Sequence, residues 1–194
     1  RNRKDSLSPI FLEKEETLYD SLLNQLLLLN LNDKDHNLAR YLIGNLDDNG
    51  FMTRDLYTIV NDLLLNLEIQ IRESELERIL KKVQLLDPIG VGARNLRECL
   101  ILQLHAKEQT KIVKKTIDIL QNNYEQFSKK NFEFILREEE ISEEELKMAY
   151  TEVEKLNPNP GNTFSDSTQI TNYVLPDFSI SNKEGKLTLK LNKS

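Results

Sequence analysis

Leu85-Leu86-Asp87-Pro88-Ile89-Gly90-Val91-Gly92-Ala93-Arg94-Asn95-Leu96-Arg97-Glu98-Cys99-Leu100-Ile101-Leu102-Gln103-Leu104 is the stretch on which the reading of this chain turns. A helical pattern runs into it from Glu73, with Leu76, Ile79, Leu80, Val83 and Leu86 on one face. Pro88 ends that pattern, because its ring removes a backbone donor and pushes Asp87 out of the α region. Gly90 and Gly92 then supply the conformational freedom of a tight corner. A second, very apolar helix is expected from Ala93 to Lys107, with Leu96, Cys99, Leu100, Gln103 and Leu104 sharing a face.

Outward from this corner the pattern stays helical. Upstream, the spacing predicts helices over 17–30 (cap Thr17), from Asp33 or Asp35 to about Asn45, and over 53–66 (cap Thr53). Downstream it predicts helices over 110–122, 128–137 and 142–156, the last opened by Ser142 with Glu145 in the capping-box relation. Pro158, Pro160 and Gly161 stop the chain there, and residues 162–172 read as polar loop. The end changes period: Val174–Ser181 and Lys186–Asn192 alternate as strands around the turn chemistry of Asn182–Gly185. The fold class is therefore mainly α, with two small helix-turn-helix-like bundles and a C-terminal β-hairpin. The expected division is a flexible arm (1–14), a first helical subdomain (15–108), a second (109–161), and a loop with hairpin (162–194).

A shift of 70 positions superposes Ile71, Glu73, Glu75, Leu76, Val83, Leu86 and Pro88 on Ile141, Glu143, Glu145, Leu146, Val153, Leu156 and Pro158. Either the two halves are related, with a seam near 107–111, or both obey the same helix grammar.

Composition narrows the function classes. The net charge is −6, and neither 1–108 (−4) nor 109–194 (−2) is basic, so neither half carries a nucleic-acid binder's electrostatic footprint. No apolar run of about 18 residues spans a membrane, and residues 1–5 open no signal peptide. The single cysteine, Cys99, reads as a small buried hydrophobe in a reducing, cytoplasmic compartment. No catalytic constellation appears. His36 and His105 lack partner motifs, and Gly90-Val-Gly92 lacks the Lys-Ser/Thr of a phosphate loop. Asp47, Asp48 and Asn49 resemble the start of a calcium loop, but the loop is too short and its closing Glu is missing. No enzyme, cofactor, metal or small-molecule substrate is expected. Residues 37–66 could be a DNA-reading helix-turn-helix, yet Arg54–Asp62 carries one basic and two acidic side chains.

The stretch Leu86–Leu100 resembles the core-binding region of the sigma-54 class of bacterial RNA polymerase specificity factors, which reads Asp-Pro-x-Gly-Val-Gly-Ala-Arg-Asp-Leu-x-Glu-Cys-Leu here. Asn95 departs from the family's Asp, keeping a cap and losing a charge. Ile43-Gly-Asn-Leu-Asp-Asp-Asn-Gly-Phe51 is similar to the family's Leu-Asp-x-x-Gly-Tyr-Leu element. Leu156-Asn-Pro-Asn-Pro-Gly161 with Tyr173-Val-Leu-Pro-Asp177 is a third match, in family order. The resemblance implies a non-enzymatic fragment of a longer transcription initiation factor. It would dock on the β and β′ subunits of core RNA polymerase, and promoter DNA would be met only through regions outside it. It names as contact candidates the turn Asp47, Asp48, Asn49, Gly50, Phe51 and the corner Asp87, Arg94, Asn95, Arg97, Glu98, with Arg94 and Arg97 foremost. Pro88, Gly90, Gly92, Pro158, Pro160 and Gly161 are expected to be structural. A stand-alone helical DNA-binding regulator, or a scaffold that pairs with itself, are the alternatives.

Overall fold

The computed structural model describes residues 15–164, together with the backbone of Asp177–Lys183 and Lys186–Asn192. The expected arm at 1–14, the loop at 165–172, the Tyr173–Pro176 part of the third motif, and residues 184 and 185 of the expected turn lie outside the described residues. Among the described residues the chain is mainly helical: α1 (Leu18–Leu28), α2 (Asp33–Gly44), α3 (Leu56–Leu67), α4 (Glu73–Val83), α5 (Leu96–His105), α6 (Lys111–Asn122), α7 (Tyr124–Ser128), α8 (Phe132–Glu138) and α9 (Glu143–Glu154). A 3₁₀ turn follows at Pro160–Phe164, and β1 (Asp177–Lys183) pairs antiparallel with β2 (Lys186–Asn192), Asp177 opposite Asn192.

Most starts are set by a side-chain oxygen that accepts an orphan N–H of the first turn. Thr17 and Ser142 do so as expected, Thr110 does so for α6, and Glu145 returns a bond to the Ser142 N–H. Elsewhere the cap moves. Asn32, not Asp33 or Asp35, starts α2, accepting from the Asp35 N–H at 2.8 Å. Asp55, not Thr53, starts α3. Asn95 starts α5 by accepting from the Glu98 N–H at 2.9 Å, so Ala93 and Arg94 belong to the corner and not to the helix. At the other end of the corner, α4 stops at Val83. Gln84–Leu86 tighten into shorter bonds, Leu85 N–H to Lys82 and Leu86 N–H to Val83.

The expected 128–137 helix is α8, which starts only at Phe132, and the short α7 ahead of it was not expected. Lys130 sits at φ +58°, its N–H bonds the Phe127 carbonyl, and the Asn131 N–H reaches back to Gln126. That is the two-bond left-handed ending usually built on glycine, and here no glycine announces it. Asn131 then caps α8.

Two apolar clusters form. The first takes Leu22 and Leu26 of α1, Leu38 and Leu42 of α2, Ile59 and Leu63 of α3, Leu76, Ile79, Leu80 and Val83 of α4, and ends at Val91. The second takes Leu100 and Leu104 of α5, then Ile117, Ile119 and Leu120 of α6, Phe127, Phe132, Ile135 and Leu146. Tyr150 stacks on Phe127 with centroids 4.1 Å apart and donates its hydroxyl to the Phe127 carbonyl. Packing thus changes hands inside the corner, ahead of the expected 108/109 division, because the face of α5 carrying Leu100 and Leu104 turns toward α6.

One polar contact is nearly closed off. Asp35 of α2 is 5% exposed and receives a two-pronged bond from Arg78 of α4 at 3.0 and 3.1 Å, with Lys82 at 3.5 Å. The Arg78 hydrogen bonds hold its carboxyl below the usual range, against the opposing effect of burial. A carboxyl lowered by folding stabilises the protein above its unfolded pKa and loses that contribution as pH falls through the folded value. Asp35→Asn, which resembles the protonated acid, is therefore expected to lower the neutral plateau and flatten the acid side of the stability curve, the two proteins converging in acid. Urea midpoints followed from neutral pH into the acid range check this, and an unchanged acid slope would refute it.

Candidate functional site

The first two motifs singled out in the sequence and the Leu156–Gly161 part of the third meet at one junction. Its centre is the turn after α2. The Asp47 carboxylate accepts from the N–H groups of Asn49 (3.0 Å) and Phe51 (2.8 Å), while backbone bonds join the Asp47 N–H to Phe51 and the Gly50 N–H to Asp47. Both carboxylate bonds go to Oδ1, so the acid holds its own loop.

The corner that follows α4 lies against this turn. The Gly92 N–H donates to the Gly50 carbonyl at 2.8 Å, and the Met52 N–H to the Ala93 carbonyl at 2.8 Å. Gly50, Gly90 and Gly92 have φ of +85°, +102° and +78°, where an L side chain is strained. The exit from α9 closes the junction. The Gly161 N–H donates to the Asn49 carbonyl at 2.9 Å. A Cβ on Gly161 would fall on the Asp48 carbonyl oxygen and 2.7 Å from the Asn49 carbonyl carbon. Pro160 is buried against Gly50.

Three glutamines hold these loops: Gln103, read only as part of the apolar face of its helix, and Gln25 and Gln84, which the sequence did not single out. Gln25 of α1 brackets Asp87, accepting from its N–H at 2.7 Å and donating to its carbonyl at 2.6 Å. Gln103 of α5 brackets Asn157 in the same way, at 2.8 and 2.7 Å. Gln84 donates to the Gly92 carbonyl and to Glu98. Asp87 and Asn157 each precede a proline, 70 positions apart, as in the internal match. Gln103 lies 78 positions after Gln25, and α6 lies 78 after α2. The correspondence therefore extends to α1 with α5 and α2 with α6, which only the bracketed backbone reveals.

The expected contact residues separate by this geometry. Asp48, Asn49, Asp87, Arg94 and Asn95 are exposed; Asp47, Phe51, Arg97 and Glu98 are half-buried; Gly50 is buried. Arg94 bonds Glu98 at 3.1 Å and Glu77 at 3.4 Å. Arg97 donates to the carbonyls of Leu120 (2.8 Å) and Gln121 (2.6 Å), binding α5 to the end of α6. Cys99 is buried with its thiol raised by burial, 3.3 Å from Gln103 Nε2. Beside the corner, Leu85 is 75% and Leu96 40% exposed. Leu96 was expected on the apolar face of its helix and is instead the exposed first residue of α5, whereas Leu85 lay outside the face read for the preceding helix. No group of acidic, histidine or cysteine side chains suited to a metal exists among the described residues. Nor is any described helix long and apolar enough to cross a membrane.

Comparison with known proteins places this junction in a family. The model of the sigma-54 factor core binding domain matches residues 9–194. The chain is 33% identical over 189 residues to the RNA polymerase sigma-54 factor of Vibrio anguillarum, covering 93% of this chain and 36% of that protein. With the RNA polymerase sigma-54 factor of Escherichia coli (strain K12) it shares 31% identity over 188 residues, covering 93% and 37%. With that of Bacillus subtilis (strain 168) it shares 30% over 182 residues, covering 92% and 39%. The chain thus spans between a third and two fifths of the length of these relatives. Its first two motifs and the Leu156–Gly161 part of the third, joined in one locked corner, lie within the matched residues, and the chain belongs to the sigma-54 factor core-binding domain family.

Proposed function

We propose that this chain is a non-enzymatic docking module that binds core RNA polymerase, through surfaces of the β and β′ subunits, within an activator-dependent transcription initiation factor of the cytoplasm. The family match carries the reading. The pairing of β1 with β2 supports a C-terminal hairpin leading toward a promoter-reading region. The two apolar clusters support two related helical subdomains, divided in the corner at 92–96.

Within the junction, the reading assigns contact to Leu85, Asp87, Arg94 and Leu96, with Asp48 and Asn49 at its edge. Two exposed leucines flank a backbone that cannot shift, which suits a docking contact that loses little freedom on binding. Arg97 and Asn95 are assigned to positioning, since Arg97 serves α6 and Asn95 caps α5. DNA reading by α3 is disfavoured, because Arg54 is already paired with Asp62 and the helix exposes Tyr57, Leu64, Leu65 and Leu67.

Leu85→Ser and Arg94→Ala are each expected to weaken binding to core polymerase by about tenfold, a loss of roughly 1.4 kcal/mol, with the melting midpoint little changed. Arg97→Ala is expected to lower the midpoint instead. Titration of labelled chain with purified core polymerase, alongside thermal melts, checks this. Undiminished binding by both Leu85→Ser and Arg94→Ala would remove the corner as a contact.

A further inference from the structure

The two helical clusters are joined covalently through a single strand of corner, residues 92–95. One such joint leaves rotation about its own bonds, and relative motion of the joined bodies is the default when little surface lies between them. Here the chain makes a second, non-covalent attachment 65 positions later, where Gly161 bonds Asn49 and Pro160 covers Gly50. The loop that carries Pro160 and Gly161 is itself anchored to the second cluster, because Gln103 brackets Asn157 from α5. The bonds therefore close a ring: α5, the 157–161 loop, the 47–51 turn, the 92–93 corner, and α5 again.

We infer that Gln103 and Gly161 are positioning residues that lock the two helical clusters into one body at a fixed separation. Gly161 is the point of fit. Any side chain there must displace the Asp48–Asn49 backbone, which has no flexible end to yield. Gln103 is the anchor, and its loss leaves the Asn157 N–H unpaired and its carbonyl with the Cys99 thiol alone, which loosens the loop. With the ring open, the joint keeps the bonds of Gln84 and Arg94 to Glu98 close to the corner, and the two clusters gain freedom to swing about it. The consequence for docking rests on the polymerase reading above. A body that presents two surfaces at fixed spacing engages the second without a fresh loss of freedom, whereas a hinged pair loses much of that advantage.

The test places spin labels at Lys81→Cys on α4 and Lys147→Cys on α9, both exposed, one in each cluster, with Cys99 buried and left in place. The parent is expected to give one narrow distance distribution. Gly161→Ala and Gln103→Leu are each expected to broaden it, while hydrogen exchange in the middle of α4 and α6 keeps its protection, so that hinging and not unfolding is read. An unchanged distribution in both variants overturns the inference, as does broadening that appears only together with lost protection in the two helices. In parallel, both variants are expected to bind core polymerase about tenfold more weakly. If the parent itself fails to bind polymerase, the docking proposal falls while the distance measurement still decides the lock.

Discussion

Gly90→Ala is expected to destabilise the fold by about 3 kcal/mol, lowering the melting midpoint by roughly 6–12 °C for a chain of this size. Two effects add. The backbone at φ +102° disfavours any Cβ, and the new methyl would stand 2.8 Å from Cys99 Sγ and 3.1 Å from Gln103 Nε2. A double-mutant cycle separates them. In Gly90→Ala with Cys99→Ala the clash with sulfur is relieved and the backbone strain stays, so the pair should cost less than the sum of the singles. Gly44→Ala is the contrast. Gly44 is the last residue of α2, and an added Cβ meets only Tyr19 Cε2 at 3.9 Å, so a small gain of about 0.5 kcal/mol is expected. Equal losses at both glycines would show that the corner's geometry does not matter.

Leu80→Ala is expected to cost about 4 kcal/mol, within the usual range of about 2–5 for a buried leucine. Leu80 is fully buried on α4. Its Cδ1 also lies 3.6 Å from where a Gly92 side chain would begin, so the cavity opens beneath the corner. The rigid ring above it limits how far the walls can close, which pushes the cost toward the upper part of that range. Urea unfolding followed by circular dichroism should show a lower midpoint with unchanged slope. A loss under about 1 kcal/mol would mean that the corner collapses into the space, contrary to a locked junction.

Much of the helical layout was legible because apolar period and capping chemistry agree. Thr17 and Ser142 each stand before an apolar run, and both cap as read. Where several candidates crowd together the choice went to the wrong one: Asn32 is followed at once by Asp33 and Asp35, and Thr53 is followed by Asp55. Any of these oxygens could reach a free N–H, and only the packing of the helix decides which does. Endings were harder. Glu68, Lys130 and Glu140 all adopt positive φ after α3, α7 and α8, and none is the Gly or Asn that would have marked the stop. The corner's glycines were readable as geometry. Its partners were not. Gln25 and Gln103 act across 62 and 54 residues of sequence, and a glutamine on a helix gives no sign of whether it faces water or a distant peptide. Leu96 was read onto the apolar face of a helix starting at Ala93, but it opens α5 and is 40% exposed.

The two bracketing glutamines act as surrogate peptide groups, each supplying one rung of a ladder where no strand exists. Such a rung reads main chain and ignores side chain. Positions 87 and 157 are therefore free, as far as the bracket is concerned, to carry almost any residue that tolerates a following proline. Positions 25 and 103 are not: glutamate keeps the shape but loses the donor, and leucine loses both ends. Sequence drift in this corner should accordingly be lopsided, with tolerance on the loop and constraint on the distant helix that holds it.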